Sequence, residues 1–232
     1  MRGISDPCRE YRKPVYLVWQ FHVANLIEKY KNLYIKYQTM RVQEVIKELK
    51  LNGLSVFNVN DVSRITGKGK NYLYLLLSKS RLVARAQNGV YYLPDTDPME
   101  VASYIATPSY ISLISAFGYY KLIDQIPNVV KVITTKRHGE MEKVQGTRIV
   151  FKTTKREMLY GYHREHNISI ADIEKAVVDS IYFNEDIRYI KEVIKNGIKA
   201  GIFDLGKLEV YAKTSRSKSL LEKVNGVLRV VK

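Results

Sequence analysis

His163 and His166, three residues apart in the stretch YHREH, are the first residues whose types and spacing suggest chemistry. On a helix such a pair shares one face and could hold a divalent metal between two imidazoles. With no cysteine nearby and no clear third ligand, an exposed basic segment is the expected reading. A metal-dependent nuclease would need clustered carboxylates, often with a lysine, to hold the metal and activate water. Glu48-Leu49-Lys50 is the Glu-x-Lys of this chain, and a solvated helix face is its ordinary explanation. Glu174 and Asp179 stand five residues apart, which on a helix turns them about 140° from one another. Capping and interhelical hydrogen bonds are their expected work. The turn TGKGKN lacks the glycine spacing of a phosphate-cradling loop and follows a helix, so neither ATP nor NAD is expected. The reading therefore assigns no catalytic residue, no metal ligand and no cofactor, and keeps a nuclease only as an alternative.

Binding residues are more numerous. The 232 residues carry 38 Lys+Arg against 23 Asp+Glu, a net charge of +15 and a pI near 9.7. That balance favours a polyanionic partner through phosphate neutralisation and counterion release. Between residues 60 and 90, Arg64, Lys68, Lys70, Lys79, Arg81 and Arg85 face a single acid, Asp61. Asn71, Tyr74, Gln87 and Asn88 are interleaved with them. Amide, hydroxyl and cationic side chains together form the set that reads base edges and holds phosphates. These ten residues are the expected contacts to double-stranded DNA.

The elements that must position them follow from punctuation. A helix over 40–51 buries Val42, Val45, Ile46 and Leu49 and stops at Asn52-Gly53. NVNDVSRITG predicts a second helix with Asn60 as its cap, Val62 and Ile65 inward and Gly67 as terminator. A third helix over 70–80 has Leu73, Leu76 and Leu77 on one side. LVARAQNGVYYL reads as a hairpin with a type I′ turn at Asn88-Gly89. Helix, helix, turn, helix, hairpin is the order of a winged helix-turn-helix, here residues 38–94. The leucines would hold the third helix down, leaving Lys68, Lys70, Asn71 and Tyr74 toward a major groove and Arg85, Gln87 and Asn88 at a wing tip. A solvated basic face, or a winged helix that binds protein, are the alternatives.

Residues 1–37 read as a helical extension whose apolar face over 14–37 would pack on the chain or join a homodimer. Pro94, Asp95, Asp97 and Pro98 mark a boundary. Beyond it an α+β domain over 95–183 is expected, with helices at 98–106 and 109–122 and strands in VVKVITT and TRIVFKTT around a charged loop at 138–145. A strand at 168–170 and a helix at 171–182 follow, then a helical tail over 184–232 broken at Gly197, Gly201, Gly206 and Gly226. The fold class is thus α+β. The uncharged run 101–120 contains Pro108 and several hydroxyl residues, so it reads as two short buried helices and not as a membrane span. A lone Cys8 and no signal-peptide pattern make a cytoplasmic protein the expectation.

In order along the chain, RLVARAQNGVYYLP, PSYISLISAFGYYKLIDQIPNVVKVITTKR, GTRIVFKTT and ISIADIEKAVVDSIYF resemble the AbiEi family of antitoxins and transcriptional regulators from abortive-infection toxin–antitoxin systems. The resemblance spans about residues 40–183, and Ile173 stands where that family usually has proline before its glutamate. It implies a winged module that binds inverted repeats in its own promoter as a repressor. It also implies a second domain that aids repression and neutralises a nucleotidyltransferase-like toxin. An antitoxin acting mainly through contact with such a toxin is the alternative it leaves open.

Overall fold

The computed structural model describes residues 40–124, 128–138 and 141–231, which form a mixed α+β structure with two sheets. The chain divides into two compact units, Met1–Lys47 and Glu48–Lys232. Helix α1 (Val42–Leu51) runs across that division and ends where the Asn52 side chain donates to the Glu48 carbonyl at 2.8 Å. The helix expected over 14–37 lies outside the described residues.

In the second unit, Asn58 closes β1 (Val56–Asn58) and opens α2 (Val59–Thr66). The cap is therefore Asn58, two residues before the Asn60 expected from sequence. Its side chain accepts from the amides of Asn60 and Asp61 at 2.7 and 3.1 Å, while the Asp61 carboxylate accepts from the Asn58 amide at 2.9 Å. This reciprocal box satisfies donors that a helix start would leave orphaned. Gly67, at φ 68°, ends α2, and α3 (Lys70–Ser78) follows after a tight turn. Strands β2 (Ala84–Gln87) and β3 (Val90–Tyr92) form the hairpin. Of its two turn residues only Gly89 has positive φ, 78°, so the turn is not type I′, and the register shifts between Arg85 and Gln87.

β1, β3 and β2 pair in that order into an antiparallel sheet. Alternation along the strands sends Phe57 and Tyr91 to one face, where their rings stack at 6.2 Å. It sends Val56 and Tyr92 to the other face, where they join the large apolar core of the unit. α2 packs on β1 and on α3. The small sheet thus couples the α2–α3 pair to the rest of the unit.

The second sheet has the strand order β6-β7-β5-β4-β9-β8. Its strands are β4 (Ser109–Ile111), β5 (Val129–Thr134), β6 (Met141–Val144), β7 (Thr147–Thr153), β8 (Tyr162–Glu165) and β9 (Ile168–Ala171). β5 and β7 run parallel from Val129↔Arg148 to Thr134↔Thr153. Where a helix was expected over 109–122, β4 enters the sheet and only α5 (Ile114–Tyr119) is helical. All three residues of β4 are buried, and a short, fully buried run has no period that separates strand from helix. β6 occupies part of the expected charged loop, and β8 is formed by YHRE. Both are edge strands, whose charged residues mask the apolar alternation.

α4 (Pro98–Ile105), capped by Asp97 with Pro98 in its first turn, packs on β4, β5, β7 and β9. α6 (Ile173–Tyr182) is buried from Ile173 to Ile181 and is surrounded by α5, α7 (Ile187–Lys199), α8 (Leu205–Thr214) and α9 (Lys218–Val231). Gly197 and Gly226 lie inside α7 and α9 and break neither helix. At Gly197 a Cβ would lie 2.9 Å from the Phe203 Cβ, so the glycine is a notch for the aromatic residue beyond the helix end. Lys175 and Asp179, one turn apart on α6, form an ion pair with side chains 0% and 1% exposed. No helix among the described residues is long and apolar enough to cross a membrane.

Candidate nucleic-acid interface

α3 has two faces because its leucines recur at helical spacing. Leu73 and Leu77 are buried, while Lys70, Asn71, Tyr74 and Leu75 are exposed, Tyr74 by 46% and Leu75 by 57%. Gly69 precedes the helix and brings no side-chain cap. The turn before α3 is fixed on both sides. Ser63 donates its hydroxyl to the Lys68 carbonyl at 2.8 Å, and the Lys68 amide donates to Thr66 Oγ1 at 3.3 Å. The Lys68 side chain is half-buried, and Arg64 is exposed beside Asp61 at 3.6 Å.

Lys79 and Arg81 are exposed on the segment between α3 and the hairpin. At the hairpin tip the Arg85 guanidinium donates to Asn88 Oδ1 and to the Gln87 carbonyl. Arg85, Gln87 and Asn88 are thereby drawn together, with Arg85 and Asn88 exposed and Gln87 half-buried. No acidic residue occurs between Asp61 and Asp95. Among the described residues Lys68, Lys70, Lys79, Arg81 and Arg85 make no ion pair. Uncompensated exposed cations of this kind raise the local positive potential.

The start of α2 is tied to α4 by contacts that no local pattern announces. Asn58 donates its side-chain amide to the Tyr104 hydroxyl at 2.6 Å, and that hydroxyl donates to Asp61 Oδ2 at 2.6 Å. Burial and the Asp61 hydrogen bond push the Tyr104 hydroxyl up to about 12, so it stays a donor across the physiological range. Ser55 donates to Glu100 on the same helix. The turn after β6 adds a third tie, with Gln145 donating to the Pro94 and Thr96 carbonyls. The capping box that starts α2 therefore also fixes how α2 and α3 are held against the six-stranded sheet.

The sequence reading set Leu73, Leu76 and Leu77 inward and gave Leu75, which is exposed, no role, and it missed Tyr104, whose partners are more than 40 residues away. The other chemistry-bearing residues have structural partners. His163 lies in β8 and His166 in the following turn at φ 52°, so they do not share a helix face. His163 Nδ1 is 2.9 Å from Asp172 Oδ1. Burial alone would raise the Asp172 carboxyl, but hydrogen bonds from Tyr211, Lys207 and His163 outweigh it and hold it below the usual carboxylate range. Glu174 accepts from the Asp204 amide at 2.8 Å, and Lys50 of the Glu-x-Lys motif pairs with Asp95 at 3.4 Å. Among the described residues no group of three or more His, Cys, Asp or Glu is arranged to hold a metal. The chain matches no protein-family model and no curated protein.

Proposed function

We propose that this protein is a sequence-specific, double-stranded DNA-binding transcriptional regulator of the AbiEi antitoxin type, dimeric in the cytoplasm and repressing its own promoter. In this reading β1, α2, α3 and the β2–β3 hairpin are the working parts of a winged helix-turn-helix. The observation that carries it is the division of α3: Leu73 and Leu77 are turned into the core while Lys70, Asn71 and Tyr74 stand in solvent, in a stretch without a single carboxylate. A helix laid in a major groove needs that arrangement, with cations for phosphates and an amide for the bidentate reading of adenine. Exposed Leu75 supplies an apolar contact suited to a thymine methyl. In this reading Arg85 and Asn88 at the hairpin tip contact the adjacent backbone, and Arg64, Lys79 and Arg81 contact flanking phosphates.

Footprinting of the protein on the DNA upstream of its own gene tests the proposal. Two protected half-sites, roughly one helical turn of 10 to 10.5 base pairs apart or a multiple of it, are expected for a dimer on an inverted repeat. Protection that ignores sequence, or none at concentrations where the protein is folded, would remove the regulator reading.

A further inference from the structure

Thr134-Thr135-Lys136-Arg137 and Thr153-Thr154-Lys155-Arg156 are one tetrapeptide written twice. β5 and β7 are adjacent and parallel, in a register that pairs Thr134 with Thr153. The two copies therefore lie side by side, about 5 Å apart, where both strands end. Ser109 of β4 pairs with Thr134 in turn, so three hydroxyl residues cross three strands in one row. Thr134 donates to the Pro108 carbonyl at 2.9 Å and accepts from the Lys136 amide at 3.2 Å, which fixes the turn carrying Lys136 and Arg137. His138 then lies against Phe151 of β7, ring centroids 4.9 Å apart, and keeps that turn beside the second copy. The second copy is fixed by the Thr154 amide donating to the Thr134 carbonyl at 2.9 Å and by the Met158 amide donating to the Lys155 carbonyl at 3.0 Å.

Lys136, Arg137, Lys155 and Arg156 are all exposed, and among the described residues none of the four makes an ion pair. The Ser109 and Thr154 hydroxyls are buried beside them without a hydrogen-bond partner among the described residues. The register brings the two strand ends together, and the four exposed cations that follow those ends are of the side-chain type that holds phosphate oxygens. The cluster also stands at a particular end of the sheet. α4 leads directly into Pro108 and β4, and Tyr104 in its last turn holds Asn58 and Asp61 at the start of α2.

We propose that the paired Thr-Thr-Lys-Arg segments are a second phosphate clamp, gripping the backbone of duplex DNA beyond the stretch that α3 reads. This rests on the DNA-binding reading above. The cations are exposed and not enclosed, which suits a continuous backbone better than a small phosphate ester.

The test is anisotropy titration of the full chain across salt, on a duplex of about one helical turn carrying one half-site and on one of about three turns carrying the whole footprinted site. The clamp variant carries Lys136→Gln, Arg137→Gln, Lys155→Gln and Arg156→Gln. A control with equal charge loss carries Lys195→Gln, Lys199→Gln, Arg216→Gln and Lys218→Gln on the C-terminal helical segment. On the long duplex the clamp variant should lose roughly 2 to 4 from the log–log salt slope, since each neutralised phosphate contributes about 0.9. On the short duplex it should match the unsubstituted protein, and the control should match on both. If clamp and control variants lose equally, or neither loses, the clamp is wrong while the α3 reading stands. If the unsubstituted protein binds neither duplex, both fall together.

Discussion

Asp179→Ala should be among the most damaging single substitutions in the second unit. The change deletes the carboxylate paired with the Lys175 ammonium, and both side chains are out of solvent, 0% and 1% exposed. The Tyr110 and Tyr160 rings, 5.4 and 4.6 Å from the ammonium, provide cation–π attraction but no counter-charge. Removing one partner of a buried pair costs about 3–5 kcal/mol, and for a unit of this size each kcal/mol lowers Tm by roughly 2–4 °C, so a fall of about 6–20 °C is expected. Lys175→Met should cost less. It removes the buried cation and leaves Asp179 accepting from the hydroxyls of Ser112 at 2.8 Å and Tyr110 at 3.1 Å. Burial already pushes the Asp179 carboxyl above its usual range, and losing Lys175 removes the largest influences that oppose this, leaving only the Ser112 and Tyr110 hydrogen bonds. A carboxyl raised in the folded state contributes stability below its unfolded pKa and loses it as pH rises through the folded value. Lys175→Met should therefore gain on the unsubstituted protein as pH falls through the weakly acidic range. The double change Lys175→Met with Asp179→Leu should be close to neutral. Thermal melts of the four proteins from pH 5 to 8 give the comparison. A loss under about 1 kcal/mol for Asp179→Ala, or an equal loss for Lys175→Met at every pH, would refute the buried-pair reasoning.

Three further outcomes are expected. Gly161 takes φ 66°, and a Cβ there would lie 2.9 Å from the Tyr211 ring and 3.1 Å from the Lys175 Cβ; Gly161→Ala should cost about 2–4 kcal/mol by denaturant melt from left-handed strain plus overpacking. The Asp172 carboxyl, which joins Tyr211 and Lys207 of α8 to His163 of β8, is held below the usual range. Its stabilisation is present above the unfolded carboxylate pKa and lost as pH falls through the folded value, so hydrogen exchange in α8 should accelerate under acid while Asp172→Asn flattens that response. In duplex binding, Lys70→Ala and Arg85→Ala should weaken specific and random sequences alike. Asn71→Ala should chiefly relax specificity, by about 1–3 kcal/mol at one base pair.

The parts of the fold nearest the proposed interface were legible because their signals are local. Gly67, the leucine spacing of α3 and the Asn88-Gly89 turn each act within a few residues, and the elements they imply are present. Even there the cap slipped from Asn60 to Asn58, since a chain rich in Asn and Asp offers several side chains able to accept from the same amides. β4, β6 and β8 were hidden for opposite reasons. The first is buried on both faces and has no period, and the other two are short edge strands whose polar residues look like loop. Lys175 and Asp179 look like an ordinary exposed i, i+4 pair on paper. Only packing of α6 against α5, α7, α8 and α9 places them in the interior. The repeated Thr-Thr-Lys-Arg is visible in the sequence, but its meaning depends on the parallel register of β5 and β7, which crossover topology alone creates.

The central claim, that the exposed side of α3 enters a duplex groove, is tested most directly by a photoreactive phenylalanine at Tyr74, with the same group at Val210 on α8, also exposed, as the comparison. Irradiation of the complex with the footprinted duplex should give adducts to bases from position 74 and none from position 210. Base adducts of equal yield from both positions, or only protein–protein adducts from position 74, would contradict the claim.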